Sequence, residues 1–178
     1  MFTSLSLVKS YPVPQVDKKA LLWFLARYEQ TAAGMWLKSL NWRAMEFKYC
    51  WAMKNGIMGA WLSVTGDCVY LAPEYAGQDP LEYFASPLCT ALKRVHPAAL
   101  SNWAGLIAST AVHELRHKYQ RKRLGFALYA LCTLPPIRQV TLERDANRIA
   151  KPSAAFFEAY VGALDQNEFY ARYDQKTE

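Results

Sequence analysis

The chain predicts an α+β fold on three observations. Apolar residues recur at helical spacing near its start, an aromatic and β-branched stretch broken by turn residues follows Trp42, and a second helical half runs from Ser101 onward. Its 178 residues suit a single domain. Residues 1–98 are expected to carry a helix and a small antiparallel sheet, and residues 99–178 a helical part around a buried helix. With 52% hydrophobic and 20% charged residues, the composition is that of a folded globular chain.

Leu21, Leu22, Phe24, Leu25, Tyr28 and Ala32 lie three and four apart, so residues 17–40 read as an amphipathic helix capped by Asp17. From Trp42, the turn residues Asn55-Gly56 and Thr65-Gly66-Asp67 divide the chain into three antiparallel strands near 43–53, 57–64 and 67–71. Gly56, Gly59 and Gly66 would each weaken a helix by about 1 kcal/mol relative to Ala. Asp79-Pro80 opens a helix that His96-Pro97 ends. Ser101 caps a long helix reaching Arg123, apolar around nearly its whole circumference and therefore buried. Leu124–Pro136 is an apolar connector of unassigned type. Pro135-Pro136 opens a further helix, Lys151-Pro152 closes it, and short aromatic helices complete the chain.

The net charge of +6 admits an acidic partner. Nucleic acid is nevertheless disfavoured, because Arg116, Lys118, Arg121, Lys122 and Arg123 sit at a helix end where the dipole already suits cations, without aromatic interleaving. Cys50, Cys68, Cys89 and Cys132 form no CxxC pair and read as free thiols in a reducing compartment. No run approaches the roughly 18 apolar residues of a membrane span. A cytoplasmic protein without a membrane partner is expected, with packaging in a virion left open.

The chemistry concentrates in "HELRH", residues 113–117. Residues four apart on a helix share a face, so His113 and His117 aim their ring nitrogens at one point. Two neutral imidazoles suit Zn²⁺, and Glu114, turned aside from that point, reaches a water on the ion instead. Without compensation these groups would be costly on a buried helix, and a metal supplies it.

Catalytic zinc sites commonly use three protein ligands and an open fourth position. Cys132 lies in the apolar connector and His96 beside a proline in a loop, so neither converges on the pair. Glu143, on a later helix with Leu142, Ala146 and Ile149 beside it, is the better third ligand. Asn147 is four residues on and shares its face, where it supports a ligating histidine by accepting the proton on the nitrogen turned away from the metal. Asp145 points elsewhere and reads as a solvated charge.

His113, Glu114, His117 and the later "ExxAN" at Glu143–Asn147 resemble the gluzincin branch of the zincin metallopeptidases, thermolysin-like in the catalytic core. The likeness covers about residues 99–150. It implies an α+β fold with an antiparallel sheet before the active-site helix. It also implies a peptide or protein substrate paired along the sheet edge, Zn²⁺ on His113, His117 and Glu143, and Glu114 as general base. The family carries Asp where Asn147 stands. It also places a Tyr, His or Arg near the oxyanion, for which Tyr129, Arg148, Tyr160 and Tyr170 all remain open here. The competing expectation is a non-catalytic zincin-like structural or assembly protein, phage or mobile-element encoded, with a structural or vestigial zinc site.

Overall fold

The computed structural model describes residues 10–13, 15–50, 59–61, 68–72 and 104–163. In chain order these form strand β1 (Ser10–Pro12), helix α1 (Gln15–Glu29) and two 3₁₀ turns (Met35–Ser39, Trp42–Ala44). Strands β2 (Glu46–Cys50), β3 (Gly59–Trp61) and β4 (Cys68–Leu71) follow. A π-helical turn (Ala104–Ala108) leads into α2 (Ser109–Cys132), and a second (Gln139–Glu143) into α3 (Arg144–Ala163). The arrangement is α+β, with sheet and helices contributing to one apolar core.

β2, β3 and β4 fall within the three expected stretches, β1 is a fourth strand that the sequence reading does not contain, and the sheet is mixed rather than antiparallel. Its order is β1-β2-β4-β3, with β2 and β4 parallel and the two outer pairs antiparallel. The reason lies in β4. Cys68, Val69 and Leu71 are all buried, a nearly continuous apolar run that suits a central strand flanked by two others. β2 aligns Phe47 with Val69 on one side of it, and β3 aligns Trp61 with Val69 on the other. The turn residues Asn55-Gly56 and Thr65-Asp67, the helix expected after Asp79, the Ser101 cap and the last short helix fall outside the described residues.

Helix α1 buries Ala20, Leu21, Phe24, Leu25 and Tyr28, the stripe its spacing predicts. It begins at Gln15, which puts Asp17 inside the first turn instead of before it, and it ends at Glu29, well short of residue 40. A side-chain turn stops it. Thr31 Oγ1 donates to the Tyr28 carbonyl at 2.7 Å and accepts the Gly34 N–H at 3.0 Å. The chain then passes so close to itself that a Cβ on Gly34 would lie 2.0 Å from the Tyr28 carbonyl oxygen.

Helix α3 runs straight through Pro152, where the sequence predicts a stop. Proline forfeits one backbone hydrogen bond there. Packing beyond it outweighs the loss: Phe157 lies 5.8 Å from Phe24 and 5.6 Å from Tyr28 between ring centroids, and Tyr160 lies 5.2 Å from Trp23. Helix α2 is buried along Ala111, Val112 and Leu115 as expected, and the supposed connector continues it as helix after a break at Gly125 (φ 73°, ψ 170°). Among the described residues no helix is long and apolar enough to cross a membrane.

Replacing Gly34 by Ala forces the Thr31–Gly34 turn away from Tyr28. The expected cost is about 1–3 kcal/mol, typical of overpacking a tight site. Urea unfolding checks it, through a lowered midpoint at unchanged slope.

Candidate metal centre

The ligand atoms come from two elements that cross. His113 and His117 project from one face of α2. Glu143 ends the π-helical turn before α3 and reaches across to them. The Nε2 atoms of His113 and His117 are 3.1 Å apart, and Glu143 Oε2 lies 3.2 Å from the first and 3.5 Å from the second. Tetrahedral zinc with bonds near 2.0–2.1 Å requires ligand atoms about 3.3–3.4 Å from one another. The three separations therefore match one face of a zinc tetrahedron. Among the described residues this is the one group of three or more His, Cys, Asp or Glu side chains able to hold a metal ion.

The chain fixes which nitrogen of His117 faces the site. Gln120, buried and one turn on, places Oε1 2.9 Å from His117 Nδ1 and donates from Nε2 to the Leu142 carbonyl and to Asp145 Oδ2, both at 2.9 Å. Because both amide hydrogens are spent on acceptors, Oε1 must be the atom that meets His117. Nδ1 therefore keeps its proton, and loss of the Nε2 proton leaves that nitrogen's lone pair directed inward, as a metal ligand requires. Asp145 is anchored in turn by Arg116, with Nε at 2.7 Å from Oδ2 and Nη2 at 3.2 Å from Oδ1. The guanidinium itself lies over the rings of Trp36 and Tyr119.

Glu143 is held at both oxygens. Oε2 faces the imidazoles, while Oε1 accepts from Arg138, at 2.8 Å from Nε and 2.7 Å from Nη2. Burial opposes its charge, but hydrogen bonds from His113 and His117, the His117 charge and Arg138 prevail and hold its carboxyl far below the usual range. For His117, burial favours the neutral ring. The hydrogen bond to Glu143 and the charges of Glu114 and Glu143 outweigh burial and raise its pKa above 6.5. Burial likewise works against Asp145, and Arg116 and Gln120 overcome it to lower that pKa.

Glu114 is buried, with Oε1 3.9 Å from His113 Nε2: beside the ligand point, as its place on the helix predicts. Asn147 requires a correction. It is exposed, and the role foreseen for it belongs to Gln120. The buried stripe of α3 is centred on Leu142 and Ala146, which puts Asn147 about 140° round from Leu142 and into solvent. The same wheel sets Asp145 about 60° to the other side, close enough to reach α2, so it is an anchored charge and not a solvated one. Of the four oxyanion candidates, Arg148 is exposed and paired with Asp145, Tyr160 stacks among α1 and α3 aromatics, and Tyr170 lies outside the described residues. Tyr129 is buried within electrostatic range of Glu114 and Glu143, and burial pushes its phenol up to about 12 despite Arg138.

Two site residues escaped the sequence reading, Gln120 and Arg138. Gln120 is three residues after His117 on the same helix face, a spacing that marks it as a neighbour. Arg138 stands five before Glu143 and carries no such mark, since its reach depends on the intervening π-helical turn.

Changing Gln120 to Leu removes the acceptor from His117 and the donor from the Leu142 carbonyl, so zinc affinity should fall about 10–100-fold in a chelator competition. Protons compete for the same ring. Zinc uptake is expected to be full above the raised His117 pKa and to decline as pH drops through it, read from zinc titrations across a pH series. No protein-family model, curated protein or solved structure matches this chain.

Proposed function

We propose that the chain is a zinc-dependent metallopeptidase of gluzincin type acting on a peptide or protein substrate. One observation carries the proposal: two imidazole nitrogens and a carboxylate oxygen lie at the mutual distances of a zinc tetrahedron, with a second buried carboxylate beside them. Zn²⁺ bound there supplies Lewis acidity, acidifying water and polarising the scissile carbonyl.

The protein's own groups divide the remaining work. His113, His117 and Glu143 are the ligands, and Gln120 keeps the His117 lone pair directed inward. Glu114 stands too far aside to be a ligand yet near enough to take the proton from water and deliver it to the leaving amine. Tyr129, buried and within electrostatic range of Glu114 and Glu143, is the oxyanion candidate this arrangement favours among the described residues.

The test is Glu114→Gln. Zinc stoichiometry should stay at the wild-type value while cleavage of a fluorogenic peptide library falls about 10²–10⁴-fold. His113→Ala should lose both zinc and cleavage. Wild-type turnover by Glu114→Gln would remove the assigned base. Full zinc loading with no cleavage by the wild-type chain would favour a structural or assembly role.

A further inference from the structure

Helix α2 has two halves of opposite character. Up to Gln120 it is largely buried and carries the ligands. Beyond Gly125, with the Thr133–Pro136 turn and the Ile137–Glu143 limb, it forms an excursion whose side chains are mostly exposed, Tyr129 and Leu142 being buried and Cys132 and Glu143 partly so. Among the described residues, every exposed large hydrophobic side chain except Met35 belongs to it. Phe126 is 73% exposed, Leu131 58% and Val140 64%, with Leu128, Leu134 and Ile137 between them. An apolar surface of this extent marks a contact site.

Charge identifies the partner. From Leu124 to Ile137 the chain has no charged residue, yet cations bound it on both sides: Arg121, Lys122 and Arg123 before, Arg144 after, and Arg138, which is already paired with Glu143. Asp145, an acidic group at the same end of α3, is already tied to Arg116. A second copy of this chain would bring an identical ring of cations against the first, which repels. Nucleic acid would satisfy the cations but leave the uncharged tip in water. A lipid surface with anionic headgroups satisfies both: the tip enters the acyl boundary and the cations lie among the headgroups.

We propose that the exposed apolar side chains of residues 126–140 insert into the interface of an anionic bilayer, so that the protein docks peripherally by an apolar wedge within a basic collar. The length criterion that excludes a spanning helix does not apply to an element lying in the interface. The proposal goes beyond the metallopeptidase reading and does not rest on it.

The test is flotation of the full chain with phosphatidylcholine vesicles, with and without phosphatidylglycerol. The wild-type chain should float with the mixed vesicles, bind pure phosphatidylcholine far less, and release as salt is raised. Phe126→Ser combined with Leu131→Ser should weaken binding about tenfold or more, and Arg123→Glu should weaken it on mixed vesicles alone. Unchanged circular dichroism and zinc content in the variants would show that the fold persists. Failure of the wild-type chain to float, or equal flotation of the double variant, would overturn the proposal. So would a dimer that the double variant converts to monomer without any vesicle binding, or capture of a nucleic-acid duplex in place of vesicles.

Discussion

The fold depends on compensating polar side chains that α2 carries into the interior. Glu114, His117 and Gln120 are each less than a tenth exposed, on a helix otherwise lined by Ala111, Val112 and Leu115. Unpaired polar groups in such a place cost several kcal/mol apiece. Nearly all the compensation described comes from the first turns of α3 and the π-helical turn before it: Glu143 for the imidazoles, Asp145 and the Leu142 carbonyl for Gln120. The crossing of the two helices is thereby fixed by directional bonds as well as by packing. A slide of one helix against the other would break all of these bonds together.

This network also sets the electrostatics of the site. Asp145 and Arg116 form a charged pair that meets His117 only through the neutral Gln120 amide, so the ring receives orientation without a full negative charge at Nδ1. Glu143 is the mirror case. Its charge is shared between the imidazoles on one oxygen and Arg138 on the other. Arg138 withdraws negative charge from the ligand, which leaves a bound cation a stronger Lewis acid than a free carboxylate would.

Local periodicity made the site's core legible in the sequence. His113, Glu114 and His117 occupy one short helical motif, and the helix formed where its apolar pattern required it. Glu143 was legible because a buried helix had to present a carboxylate beside Leu142 and Ala146. Asn147 lies off the expected face because packing turns Leu142 and Ala146, and not Glu143, toward the core. Pro152 does not end the helix for a related reason: Phe157 and Tyr160 beyond it hold the helix to α1 across the core, an effect that no single-residue propensity contains. The parallel pairing of β2 with β4 was illegible, since turn residues specify neighbours in sequence and not which strand takes the centre of a sheet.

Gly125 joins these two levels of organisation. Its backbone (φ 73°, ψ 170°) lies where side-chain-bearing residues are strained, and a Cβ there would meet nothing within 4 Å, so conformation and not space calls for glycine. An unbroken α2 would carry its axis on in a straight line. The break redirects the second half, so that Tyr129 alone among residues 125–131 turns inward, toward Glu114 and Glu143, while Phe126, Leu128 and Leu131 turn out. One residue thus separates the buried, hydrogen-bonded half of α2 from an apolar exposed limb. Tyr129 and Arg138 link the environment of that limb to Glu143.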